Sequence, residues 1–330
     1  TGPLVLRYRN LFLSRYRGRE PHLVPFYERL SRFDLIHTWE LFTDWTAQAI
    51  EAKDRFGTPL AIMVWDNIPF NMERNAARRR LKERAAAAGD VFIVPTERSR
   101  RMLDMENVPP EKIVLMDPGV DTTAFAPGPR DRAAFGLGDD EFVILFVGWM
   151  LPRKGIDFLI LALRELVKDA DLAGIKFRLA IVGTGPGRDR VDALLDRTGL
   201  TDRVTFLGSV RYDKMPDVFR AADVFALPSI AMPDWQEQFG MAIIEAMACG
   251  VPTVTTLSGA IPEVTGDNAV LCQPNDFVSL FEAIRELAMD AERRADLGRR
   301  AREHALERFT LERFADNLAR AYAPLVRVRA

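Results

Sequence analysis

The sequence predicts an α/β protein made of two doubly wound parallel-sheet domains. Three observations carry this. Short β-prone runs alternate with longer stretches of helical periodicity, the succession that a parallel sheet covered by helices requires. The alternation breaks at Phe125-Ala-Pro-Gly-Pro-Arg, where two prolines and a glycine interrupt both periods, and then restarts. At 330 residues the chain is long enough for two cores and large for one.

In the first half, residues 33–37 read as a short strand, 43–55 as a helix, 59–64 as a strand and 71–88 as a long polar helix. Residues 91–94 and 113–116 add strands, with a helix over 97–106 between them. The second half opens with 142–147, a continuous β-prone run suited to burial on both faces. A helix over 156–167 follows, its apolar stripe formed by Ile156, Leu159, Ile160, Leu163, Leu166 and Val167. Residues 177–182, 204–207, 224–227, 253–255 and 269–271 supply further strands, and 309–325 a closing helix. The domains are therefore placed at 1–128 and 129–308, with 309–330 as the closing segment.

The formal charge of −2 and a 48% apolar composition exclude a disordered chain and give no sign of a nucleic-acid partner. Cys249 and Cys272 make neither a metal-ligand spacing nor a disulfide framework, which fits a reducing, cytoplasmic setting. No run of eighteen apolar residues and no basic-then-apolar leader is present, so no membrane span is expected.

The densest motif is EQFGMAIIEAMACGVPTV, 237–254, with Glu237 and Glu245 eight residues apart. Phe239 and Gly240 lie where a loop becomes a helix, Met241 begins the apolar helical run, and Gly250-Val-Pro ends it. The free amides and aligned dipoles at such a helix start favour a phosphate. Glu245, about one turn in, can accept hydrogen bonds from hydroxyls. Glu237, on the loop, is a poor phosphate ligand but a good acceptor for hydroxyls of a sugar beyond the phosphates. Together these read as a site for a sugar and its nucleotide. Arg153-Lys154-Gly155, after the 142–147 strand and Gly148, offers two cations beside a glycine turn to offset a diphosphate charge.

With FDLIH (33–37), PGVD (118–121), GWMLPRKG (148–155), VGTGP (182–186) and SGAIPEV (258–264), this motif closely resembles, in order and spacing over nearly the whole chain, the retaining nucleotide-sugar glycosyltransferases of the GT-B type, family 4, also called glycosyl transferases group 1. The resemblance implies two Rossmann-like domains facing across a cleft, with a final helix crossing back to the first. The glycine-rich opening usual in the first domain is missing, so that domain is expected to be incomplete at its N-terminal side.

It further implies transfer of a hexosyl group from a nucleoside-diphosphate sugar, GDP-mannose or UDP-glucose by preference, to an acceptor hydroxyl with retention. Glu245 would take the donor ribose, Glu237 the transferred sugar and Lys154 the phosphates. Gly183 and Gly185 would form the donor-side turn, Gly208 and Val210 the wall against the base, and Gly259 a point of close backbone approach. Without a nucleophile or an acidic pair suited to a metal, the leaving phosphate accepts the acceptor's proton and the cations stabilise it, with no metal and no cofactor. The acceptor is expected to be a sugar or a lipid-linked sugar. Seven basic against two acidic residues over 1–33 leave peripheral contact with the inner face of a membrane through the first domain open, beside the reading of a chain with no membrane contact.

The chain departs from the family at several points. Trp149 stands where an arginine is common, and Arg153 is the residue able to compensate. Trp65 occupies the neighbourhood of a histidine that contacts the transferred sugar, leaving Asp66 or Asn67 to replace it, against the competing reading of an ordinary turn held by their side chains. Ala260 replaces a glycine, which would be harmful at positive φ. His37, at the carboxyl end of its strand, is open to a cleft role or a structural one. These departures keep a non-catalytic nucleotide-sugar binding protein as the alternative.

Overall fold

The computed structural model describes residues 27–326. Its contacts divide them into two compact units: residues up to Asp117 together with those from Ala315 onward, and Pro118–Phe314. The division falls at Asp117, so the proline-rich segment at 125–130 lies within the second unit. There Phe125 is buried and Arg132, just beyond, pairs with Asp223 and donates to the Ala221 carbonyl at 3.0 Å. The basic N-terminal stretch that left membrane contact open lies almost wholly outside the described residues. Among the described residues no helix is long and apolar enough to cross a membrane.

The described residues of the first unit run from a single turn, α1 (Tyr27–Leu30), through β1 (Ile36–Trp39), α2 (Asp44–Phe56), β2 (Leu60–Met63), α3 (Ala76–Ala88), β3 (Val91–Val94), α4 (Glu97–Met105) and β4 (Ile113–Leu115). The four strands form a parallel sheet in the order β1-β2-β3-β4. β2 and β3 are buried at every position, as strands covered on both faces must be. β1 lies three residues later than the expected strand, because Ile36 is the first residue to pair across to Leu60, and it alternates buried and exposed with His37 and Trp39 outward. The polar helix begins at Ala76 instead of 71: Phe70 and Met72 hold positive φ and Asn75 caps, its side chain accepting from the Arg78 amide at 2.9 Å.

The second unit runs β5 (Glu141–Val147), α5 (Ile156–Lys168), β6 (Lys176–Val182), α6 (Arg188–Thr198), β7 (Val204–Gly208), α7 (Met215–Ala221), β8 (Val224–Leu227), α8 (Met241–Ala248), β9 (Thr253–Thr256), α9 (Ile261–Thr265), β10 (Val270–Cys272), α10 (Phe277–Met289) and α11 (Ala291–Arg308). Its parallel sheet has the order β10-β9-β8-β5-β6-β7. The chain winds outward from β5 to β7, returns to lay β8 against the other side of β5, and winds outward again. This leaves a topological switch point between β5 and β8, where the loops at their carboxyl ends diverge and a crevice opens. On α5 the stripe is buried except for Val167, which is 37% exposed and turns away from the sheet.

The closing helix, α12 (Leu311–Tyr322), starts two residues later than expected. Phe309 is fully buried, and Thr310 bridges Val120 in parallel before the helix begins. From Ala315 its residues belong to the first unit, where the Tyr322 hydroxyl meets His37 Nδ1.

Candidate active site

The second unit concentrates charge at its switch point. Gly148 follows β5, and residues 152–154 make one 3-10 turn ending in Gly155 at φ 70°. A Cβ on Gly155 would lie 1.8 Å from the carbonyl oxygen of Pro228, at the end of β8, so only glycine lets the two strand exits approach this closely. That approach brings Lys154 Nζ to 2.7 Å from Glu237 Oε2, which also accepts from Ser229 Oγ at 2.6 Å. Glu237 is 5% exposed. A carboxylate so buried would be costly without a counter-charge, and the ammonium and hydroxyl offset that cost.

Trp235 covers both cations, its ring centroid 4.8 Å from Arg153 Cζ and 5.1 Å from Lys154 Nζ. The Ile230 amide donates to the Arg153 carbonyl at 2.9 Å, tying the loop after β8 to the turn after β5. Two polar atoms in this neighbourhood, Arg153 Nε and Ser258 Oγ, are buried without a hydrogen-bond partner. Such atoms are rare in folded proteins.

Glu245 lies on α8 in a different electrostatic setting. Burial pushes its carboxyl up to about 7, opposed only by a hydrogen bond from the Tyr212 phenol. Gly240 precedes α8 with φ 90°, and Met241 is half-buried at its first position. Phe239 is 1% exposed and packs edge-on against Phe309, so its ring belongs to the core and only its backbone can face a ligand.

Several glycines explain themselves by internal packing. A Cβ on Gly183 would fall 2.1 Å from the Gly148 carbonyl oxygen, one on Gly185 2.8 Å from the Met150 nitrogen, and one on Gly259 2.0 Å from the Glu237 carbonyl oxygen. The Gly183 amide donates to the Gly208 carbonyl at 2.7 Å, so Gly148, Gly183 and Gly208 stand side by side at the exits of β5, β6 and β7. Val210 follows, half-buried. Ala260 has φ −88°, so the feared strain does not arise, and its amide donates to the Glu237 carbonyl at 2.9 Å. Trp149 is 67% exposed beside this edge.

At the carboxyl edge of the first sheet the polar side chains serve the backbone. Asp66 Oδ1 accepts from the amides of Asn67 and Ile68 at 2.9 and 3.2 Å and from Asn71 Nδ2 at 3.2 Å. This is the competing turn reading, and it employs the carboxylate expected to reach a sugar. Glu40, at φ 61°, accepts the amides of Trp65 and Asp66 on Oε1, while Oε2 is buried without a partner. Burial pushes its carboxyl up to about 8. Trp39 stacks on Trp65 with centroids 5.3 Å apart. His37 lies on the exposed side of β1, and the packing around its ring lowers its pKa.

Residues 128–304, more than half of the chain, match the family described as Glycosyl transferases group 1, and residues 2–124 match Glycosyltransferase Family 4. The chain belongs to the glycosyl transferases group 1. Among similar proteins is the D-inositol 3-phosphate glycosyltransferase of Rhodococcus erythropolis, 31% identical over 289 residues, which cover 82% of this chain and 64% of that protein. The protein of the same name from Stackebrandtia nassauensis is 34% identical over 260 residues, 76% of this chain and 57% of the relative. The chain thus spans roughly three fifths of the length of these relatives. Among solved structures, Anabaena Alr3699/HepE in complex with UDP and glucose superposes with a TM-score of 0.78 at 24% identity, covering 90% of this chain and 80% of that one. The fold is that of the GT-B glycosyltransferases.

Within this group 1 member, the switch point unites Lys154, Arg153, Gly148 and Glu237. Glu245 stands further along on α8, and His37 and Asp66 belong to the other unit. Sequence reasoning missed Ser229, Tyr212, Trp235 and Glu40. Only Ser229 carried a local signal, as the hydroxyl just past the 224–227 strand.

Proposed function

We propose that this chain transfers a hexosyl group from a nucleoside-diphosphate sugar to an acceptor hydroxyl, with retention and without a metal. The observation that carries the reading is the Lys154–Glu237–Ser229 cluster at the β5/β8 switch point, with Glu245 on the helix that follows. Lys154 is already charge-paired and close to Glu237, so a diphosphate arriving on its open side and sugar hydroxyls arriving on Glu237 complete one continuous polar surface. Arg153, on the same turn as Lys154, brings a second cation toward the phosphates. The leaving phosphate takes the acceptor's proton while the cations hold its growing charge. Glu237 binds hydroxyls and orients the sugar, and Glu245 holds the ribose.

GDP-mannose and UDP-glucose remain the favoured donors, and the Anabaena structure in complex with UDP and glucose supports a uridine donor. The relatives' name adds an inositol phosphate to the sugar and lipid-linked sugar acceptors worth testing. Asp66 is assigned to its turn, and His37 is retained as a contact on the acceptor side.

A panel of nucleotide sugars, read by nucleotide release with and without these acceptors, tests the reading. Acceptor-dependent release that persists in excess chelator is expected. Donor binding without acceptor-dependent release would instead favour a non-catalytic binding protein, and loss of activity on chelation would contradict the metal-free step.

A further inference from the structure

We infer that Tyr212 is part of the nucleoside pocket, a residue that holds Glu245 in place and offers its ring to the ribose and base. The inference rests on the reading of Glu245 as the ribose residue. Tyr212 lies just beyond Gly208, in the 3-10 turn Tyr212–Lys214 at the carboxyl edge of the sheet. Its ring is fixed at two points. The phenol donates to Glu245, and the ring packs at 5.3 Å on Phe125, which is 1% exposed. Yet Tyr212 itself is 60% exposed.

That combination is uneconomical for a purely structural residue. Fixing an aromatic side chain costs rotamer entropy, and a ring left largely open returns little burial to offset it. An anchored ring with free surface, standing beside a buried carboxylate that accepts hydroxyls, is instead pre-organised for a flat ligand. A nucleoside fits both chemistries at once: ribose hydroxyls for the remaining acceptor capacity of Glu245, and an apolar face for the ring. The carboxylate has four acceptor positions and the phenol occupies one, so tyrosine and ribose are held together and do not compete. Neither the phosphates nor the transferred sugar are required by this geometry.

Titrations of the full chain with UDP, GDP and inorganic pyrophosphate test this, comparing wild type with Tyr212→Phe and Tyr212→Ala. Tyr212→Phe keeps the ring and loses the bond to Glu245, and is expected to weaken both nucleotides roughly tenfold. Tyr212→Ala loses the ring as well, and is expected to weaken them by about a further tenfold. Pyrophosphate, which shares only the phosphate end, should bind all three proteins equally. Unchanged nucleotide affinity in Tyr212→Ala, or an equal loss for pyrophosphate, would overturn the inference while leaving the donor site intact. Failure of the wild type to bind either nucleotide would defeat the underlying reading of Glu245 as well.

Discussion

The carboxyl edges of the two sheets use buried acidic groups in opposite ways. In the second unit Glu237 is given a cation and a hydroxyl, both from loops that the switch point brings together. In the first, Glu40 is equally buried but receives only two backbone amides, and its carboxyl is pushed up to about 8. Asp66 beside it is engaged by its own turn. The difference follows from topology. A doubly wound sheet sends two unrelated loops in opposite directions from adjacent strands and so can set a cation from one against a carboxylate from the other. The described part of the first sheet winds one way only, and its edge polar groups find partners in the nearest backbone.

The largest expected effect comes from removing the cation. Lys154→Met should lower turnover by about 10² to 10³. It should also destabilise the second unit by roughly 3 kcal/mol, because Glu237 stays buried without its counter-charge. Steady-state rates and urea unfolding of the same preparation read both. Turnover within about threefold of wild type would mean that the pair is architectural, like the groups at the other edge.

Next in size is a pair of glycine substitutions. Gly155 and Gly57 share nearly the same φ, 70° and 71°, but a Cβ on Gly155 meets Pro228 at 1.8 Å while one on Gly57 meets nothing within 4 Å. Gly57→Ala should therefore cost only about 1 kcal/mol of conformational strain. Gly155→Ala should cost at least about 3 kcal/mol, because the strand exits must part. Equal costs in chemical denaturation would show that the close approach of the two loops does not matter.

The smallest effect isolates Glu40. A carboxyl whose folded pKa is raised binds its proton more tightly in the folded state, so its contribution is intact below about 4.5 and lost as pH rises toward 8. Glu245 has the same sign but is spent by about 7. Between pH 7 and 8 wild-type stability should therefore fall by up to about 1.4 kcal/mol. Glu40→Gln, which keeps an oxygen for the two amides, should flatten that slope. Thermal midpoints across this interval check it, and an unchanged slope would remove Glu40 from the account.

Much of the fold was legible because strands buried on both faces, such as 91–94 and 224–227, are continuous apolar runs that need no partner to be recognised. Boundaries were harder where local chemistry overrode period. Phe70 and Met72 lie in left-handed backbone that no pattern marks, and Thr310 interrupts an otherwise helical stretch through a bridge to Val120, far away in sequence. At the site, the spacing of Glu237 and Glu245 was visible as a motif. Strand order was not, and it alone shows why Lys154 after β5 meets Glu237 after β8. Ser229, Tyr212 and Trp235 are ordinary residues until that meeting point is known. Phe239 shows the converse, since it sits inside the motif while its ring serves the core.

The central claim is that the two glutamates divide the donor between them, Glu245 taking the nucleoside and Glu237 the sugar. Calorimetric titration of Glu237→Gln and Glu245→Gln with free nucleoside diphosphate and with intact donor, alongside initial rates and a folding control, tests it most directly. Glu245→Gln should weaken nucleotide and donor together by roughly tenfold or more, the loss of a charge-assisted hydrogen bond. Glu237→Gln should leave nucleotide binding unchanged or slightly tighter, since Lys154 is freed for the phosphates, while turnover falls sharply. Two folded variants that bind and turn over donor like the wild type would contradict the account.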